Sequence, residues 1–135
     1  MPAFESVALG DIPTRRDEDT GADWLPLRST LGIWAFGINA WRAPRAGVDV
    51  IERHDERGET TLGHQEVYLV LEGSARFTIG GEELLAPAGT LVFIEDPTLE
   101  RVAVAESEGT LVLAVGTELG RAFEVSDWET RALDA

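Results

Sequence analysis

Between Val67 and Val115 the chain alternates short apolar runs with turn residues at a spacing of roughly ten residues, a rhythm that suits strands and is too short for helices. Val67-Tyr68-Leu69-Val70-Leu71 is apolar on both parities, as in a strand buried on two sides, and Gly73 ends it. Ala75 to Ile79 turns at Gly80-Gly81, a strong hairpin signal. After Glu82 to Ala86 come the Pro87-Ala88-Gly89 turn and a run from Thr90 to Ile94. Asp96-Pro97 precedes Arg101 to Ala105, and Glu108-Gly109 precedes the run from Thr110 to Val115. Upstream, Gly32 to Trp41 and Gly47 to His54 are rich in aromatic and β-branched residues, which suits two more strands. About seven to nine short strands without a long helix predict one all-β sandwich or barrel.

With 135 residues, 44% of them hydrophobic, the chain has material for one core and not two. The expected organisation is an irregular N-terminal arm over residues 1–30, a barrel over 31–118 and a C-terminal tail over 119–135. The charged run Arg15-Arg16-Asp17-Glu18-Asp19 favours a solvated arm, and Asp55-Glu56-Arg57-Gly58-Glu59 a solvated loop. Trp34 and Trp41 are expected in the core, and Trp128 is expected to hold the tail against the barrel.

A net charge of −14 repels phosphate backbones and anionic lipid, which argues against nucleic acid and membrane surfaces as partners. The chain has no Cys, so thiol nucleophiles, disulfides and thiolate metal sites are excluded. Every one of its 11 basic residues is Arg, which removes Schiff-base and phosphate-loop lysines. The longest uncharged stretch, Ser29 to Trp41, is too short and interrupted to span a bilayer. Met1-Pro2-Ala3-Phe4-Glu5 lacks the basic start of a signal peptide, and the expected location is cytoplasmic. Chemistry is left to His, Glu, Asp, Arg, Tyr68, hydroxyls or a bound metal.

The segment from His64 to Phe77, with Glu66 and Gly73 bracketing six residues, resembles the first signature of the cupin superfamily. Ala86-Pro87-Ala88-Gly89-Thr90 through Glu100 is similar to the second, joined to the first by the Gly80-Gly81 hairpin. The resemblance implies a double-stranded β-helix, or jelly roll, with a ligand site inside one mouth of the barrel, frequently in a homodimer. Val67, Leu69 and Leu71, on the outer parity of their strand, fit a face covered by another sheet or subunit.

The metal centre implied by the resemblance takes two early His, the Glu, and a late His. Glu66 keeps the Glu position; the early His positions fall on or near Glu59 and Thr61, and the late one on Glu100. Alternate residues of a strand share a face, so His64, Glu66 and Tyr68 are expected to point the same way, and the resemblance implies that this way is into the barrel. Glu100 is expected opposite them and His54 at the end of the preceding strand. His54, His64, Glu66 and Glu100 are therefore the candidate ligands of a divalent ion such as Mn, Fe, Ni or Zn. The candidate small-molecule contacts are His64, Glu66, Tyr68, Arg76 and Glu100. Without metal, Glu66 and Glu100 would repel or share a proton unless Arg76 or Arg101 paired with one of them. A metal-free pocket binding a small molecule is the first expectation. A metal-dependent lyase, isomerase or oxygenase, or an acid/base enzyme using Glu66 and Glu100 with Tyr68 or His64, are the alternatives.

Overall fold

The computed structural model describes residues 3–58, 63–118 and 120–134. Among the described residues ten strands form two antiparallel sheets: β1 (Arg15–Arg16), β2 (Asp23–Leu25), β3 (Gly37–Arg42), β4 (Asp49–His54), β5 (His64–Glu72), β6 (Ser74–Ile79), β7 (Glu82–Pro87), β8 (Leu91–Ile94), β9 (Arg101–Ala105) and β10 (Leu111–Glu118). The larger sheet has the order β1-β2-β3-β10-β5-β8, and the smaller β4-β9-β6-β7. From β3 onward the chain passes between them at every step except the β6–β7 hairpin, so the two sheets pack face to face and enclose the core, as in a double-stranded β-helix. Among the described residues no helix is long and apolar enough to cross a membrane.

Inward positions of both sheets make the main core: Val50, Ile51, Tyr68, Val70, Phe77, Val92, Ile94 and Val112 are buried together with a set of alanines. Gly73 sits at φ +73°, where an added Cβ would lie 2.4 Å from Thr110 Oγ1. Only glycine accepts both that backbone and that approach, which is why the β5–β6 corner carries one.

The described part of the expected arm, residues 3–30, is not wholly solvated. β1 and β2 extend the larger sheet, and Ile12, Trp24, Leu25 and Leu27 are buried. Ile12, Leu25 and Leu27 join Ala40 and Leu111 in a second cluster, on the outer face of the larger sheet. The polar residues between them faced solvent and masked an apolar pattern too sparse to read as strands. The strand expected over 32–41 begins at Gly37. Residues before it form α1 (Leu27–Leu31), closed by Gly32 in the left-handed conformation. Trp34 therefore leaves the core; it is 72% exposed, with the Arg28 guanidinium 5.3 Å above its ring.

The C-terminal segment forms α2 (Asp127–Asp134) across one end of the barrel. Trp128 packs edge-on to Trp24, ring centroids 5.4 Å apart, and lies 6.5 Å from Trp41. Beneath it Glu129 makes a buried ion pair with Arg28 at 2.6 Å and accepts from Asn39 Nδ2, while Trp24 Nε1 donates to Asn39. The N-terminal segment covers the outer face only along β2, β3 and β10. Toward the β8 edge, Leu91 (67% exposed) and Phe93 (59%) lie beside Leu69 and Val67 with nothing over them among the described residues.

Candidate functional site

A cavity of about 520 Å³ opens at one mouth of the barrel, between the two sheets and α2. Its position follows from three backbone choices. Across the larger sheet Gly37, Gly116 and Glu66 are register partners on β3, β10 and β5. A Cβ on Gly116 would lie 2.8 Å from the Gln65 carbonyl and 3.1 Å from Glu66 Cγ; one on Gly37 would meet Phe123 at 3.2 Å. Two glycines thus leave floor space for the Glu66 side chain and for the Phe123 ring. At the rim, Glu56 N–H donates to the Pro97 carbonyl and His64 N–H to the Glu56 carbonyl, tying the loop after β4 to the head of β5. Gly63, at φ +85°, permits that approach: its Cβ would sit 2.6 Å from the Glu56 carbonyl.

His54, Glu56, His64, Glu66 and Tyr68 line the inner end. Tyr68 donates its hydroxyl to Glu66 Oε1, and Arg101 Nη1 donates to the same oxygen at 3.1 Å. Arg101 is fully buried; its Nε and Nη2 both donate to the Leu99 carbonyl. His54 and Arg101 are register partners on β4 and β9, so a cation and an imidazole enter the barrel side by side. His54 Nδ1 lies 2.6 Å from the Glu52 carbonyl and Nε2 lies 2.7 Å from Glu56 Oε1. Both neighbours are acceptors, which matches an imidazolium donating from both nitrogens. His64 lies between Glu56 Oε2 (3.6 Å) and Glu118 Oε1 (3.4 Å).

Burial of His54 pulls its pKa down, but the hydrogen bonds to Glu56 and the Glu52 carbonyl, with the Glu56 and Glu66 charges, carry it above the ordinary 6.5. Burial raises the Glu66 carboxyl above its usual 4.5 and the Glu56 charge adds to that. Tyr68, His54 and Arg101 oppose the shift without cancelling it. Tyr68 is held well above 10, first by burial and then by Glu66, so it acts as a donor.

His54, His64, Glu66 and Tyr68 are thus brought together; Glu100 and Arg76 are not. Glu100 lies outside the barrel, 58% exposed and paired with Arg53 at 2.7 Å, because the turn before β9 ends one residue later and Arg101 takes the inward place. Arg76 faces out of the smaller sheet and pairs with Glu106 at 2.8 Å. Glu59 and Thr61 lie outside the described residues. Glu56, expected in a solvated loop, is an inner-site residue. The sequence carried no sign of this except its place two residues after His54 in a chain short of His. Arg101 appeared only as a conceivable partner of a carboxylate.

A divalent ion is the group the fold suggests for such a place. One ligand atom each from His54, Glu56 and Glu66 lies within 4.8 Å of the others, a nitrogen and two oxygens of the kind that hold divalent ions. The donors fit in kind and number. The Glu66 oxygen, however, already takes Arg101 and Tyr68, so an ion there would have to share or displace those contacts.

No family model matches the chain, and no curated protein matches it. Solved structures do. A cupin protein from Bacteroides fragilis is 20% identical with a TM-score of 0.65, covering 93% of each chain. A predicted oxalate decarboxylase from Thermotoga maritima is 19% identical with a TM-score of 0.66, covering 85% of this chain and 100% of its own. The polyketide cyclase RemF from Streptomyces resistomycificus is 15% identical with a TM-score of 0.64, covering 98% and 94%. The chain therefore has the cupin fold, the double-stranded β-helix that its two signature-like segments implied. Neighbours of this fold serve different chemistries, and at these identities the likeness does not select among them.

Proposed function

We propose that this protein binds a small organic molecule in the barrel mouth, gripping it with the hydrogen-bonding groups of His54, Glu56, Glu66 and Tyr68. The observation that carries this reading is the cavity itself, a space of about 520 Å³ whose inner end is polar and whose outer wall is Trp41, Phe123 and Trp128. Binding cavities combine an apolar wall with a few convergent polar groups, and their volumes span about 300 to 1,000 Å³. The His54 imidazole, the Tyr68 hydroxyl and two carboxylates at the inner end set orientation, and the rings exclude water around the rest. A metabolite panel monitored by thermal unfolding tests this. A ligand that raises the melting temperature of the wild type and not of Glu66→Gln supports it. Stabilisation by a ligand that is indifferent to Glu66→Gln and His54→Ala places binding elsewhere.

The convergence of His54, Glu56 and Glu66 favours a second reading, a metal-dependent cupin enzyme. Those three residues would hold the ion, which when bound would act as a Lewis acid toward a ligand oxygen. Tyr68 and Arg101 would orient Glu66. Elemental analysis after loading with Mn, Fe, Ni or Zn decides it: near-stoichiometric metal, lost in both His54→Ala and Glu66→Gln, is required.

A further inference from the structure

The two sheets end on β1, β4, β7 and β8, and among the described residues three of these edges are blunted. β1 is two residues long, and both are exposed arginines, Arg15 and Arg16. β4 carries Asp49, Glu52 and Arg53, and its register against β9 is broken by shifts. β7 begins on Glu82 and Glu83 and ends on Pro87. Short strands, charges, irregular register and proline keep a sheet edge from pairing with another chain. β8 lacks the last three: Leu91-Val92-Phe93-Ile94 is uncharged, and its register against β5 runs without a shift.

The open side of β8 can be assigned residue by residue. Val70 N–H donates to the Thr90 carbonyl, so bonding toward β5 falls on Thr90 and, by alternation, on Val92 and Ile94. The backbone groups of Leu91 and Phe93 then point away from β5, where no described strand meets them. The side chains of the same two residues are exposed, while Val92 and Ile94 are buried. On the outer face Phe93 is in register with Val67 and Val115, and Leu91 with Leu69 and Leu113. Leu113 packs against the cluster that the N-terminal segment covers. An apolar face thus runs from an existing packing interface to an open edge, and none of these six residues is charged.

Such an edge asks for an extended, uncharged strand with an open side of its own and an apolar outer face. Among the described residues this chain offers one strand of that kind, β8 itself. We propose that β8 is the pairing edge of a homodimer, in which the larger sheets of two copies join through antiparallel β8 strands about a two-fold axis at Val92. In that register Leu91 of each copy stands opposite Phe93 of the other. The two pairs exchange the N–H···O=C bonds that the edge leaves open, and the inward residues stay inward. Each copy carries a net charge of −14, so the copies repel at long range and the contact tightens as salt screens them. An oppositely charged partner shows the reverse dependence.

Sedimentation velocity over a concentration series, at low and high salt, compares the wild-type chain with Phe93→Lys and Phe93→Pro. The lysine puts a charge at an exposed edge position. The proline removes an outward N–H and none that bonds β5, a change edge strands tolerate. The wild type is expected to dimerise more tightly at high salt, and both variants to dissociate at least about tenfold more readily with unchanged circular dichroism. Hydrogen exchange of the wild type reads the edge itself, whatever the variants do to folding: the Leu91 and Phe93 amides should gain protection as concentration rises. A dimer that leaves those amides exchanging freely, or that persists in both folded variants, puts the contact elsewhere and overturns the proposal. A dimer weakened by salt, or a wild-type monomer at every concentration and salt, overturns it as well.

Discussion

The buried guanidinium of Arg101 donates from Nη1 to Oε1 of Glu66 across 3.1 Å, on the oxygen that also receives the Tyr68 hydroxyl. A cation fixed in the wall thus neutralises the one carboxylate that the β5 strand delivers to the barrel interior. A buried ion pair broken from one side costs more than one removed whole, since the survivor keeps its charge and loses its partner.

Arg101→Leu should therefore destabilise the fold by about 3–5 kcal/mol, and adding Glu66→Gln should recover a substantial part of that. Urea unfolding of the two single variants and the double variant forms the cycle. Additive losses would mean that the pair contributes no coupling.

The pH dependence has a sign that can be worked out. His54 and Glu66 both have raised pKa values in the folded chain, so the folded state holds protons that the unfolded one releases. Their contribution is full below the ordinary values of 6.5 and 4.5 respectively, and is lost as pH rises through the higher folded-state values. Wild type minus His54→Asn should thus show a stability difference that shrinks above pH 6.5. Urea midpoints from pH 5 to 9 measure it, and a difference that grows with pH would reverse the assignment. Glu72 and Asp96, lowered by Arg42 and by Thr98 respectively, act with the opposite sign only below their ordinary values, outside that window.

The barrel was legible because strand and turn are local signals: the Gly80-Gly81 hairpin and the Pro87-Ala88-Gly89 turn sit between strands where the sequence placed them. Parity also served, since His64, Glu66 and Tyr68 do share a face. The site was only half legible, because its other half comes from loop closure. Glu56 enters through backbone bonds to Pro97 and His64, contacts made across separations that no periodicity records. Glu100 and Arg101 are adjacent in sequence, and a register difference of one residue sends them to opposite faces. The N-terminal segment was misread for a similar reason: Ile12, Leu25 and Leu27 are spaced by the surface they cover and not by their own secondary structure.

Glu100 and Glu56 accordingly make a matched comparison. Glu100→Gln should change stability by less than about 0.5 kcal/mol, since its pair with Arg53 is exposed. Glu56→Gln should lower the His54 pKa, because it removes a charge hydrogen-bonded to the imidazole. Titration of the two imidazoles by NMR in each variant reads this directly; a His54 shift in Glu100→Gln equal to that in Glu56→Gln would refute the placement.

The uncovered strip on β8 and β5 sets an expectation about self-association. Leu91 and Phe93 extend the same outer face that Ile12, Leu25 and Leu27 cover farther along, and β8 is an edge strand with no charge among its four residues. If a second copy covers it, Leu91→Glu should convert a dimer into a monomer in light scattering while leaving the circular dichroism unchanged. A wild-type monomer at all concentrations would mean that this strip does not bind a second copy.

Glu129 joins the C-terminal helix to the body, through Arg28 and Asn39, at a point where its side chain is only 4% exposed. Glu129→Ala leaves Arg28 buried with the Ile33 carbonyl as its remaining acceptor, which should cost about 3 kcal/mol. The loss should be local, because α2 contributes Trp128 and Glu129 to the barrel but no strand to either sheet. Hydrogen exchange should therefore rise in α2 while β5 and β10 stay protected, and Trp128 fluorescence should shift toward that of a solvated indole. Uniform loss of protection throughout the sheets would instead make the helix part of one cooperative unit with the barrel. Because Trp128 walls the cavity, the same variant should also weaken any ligand held there, and would do so without touching His54, Glu56 or Glu66.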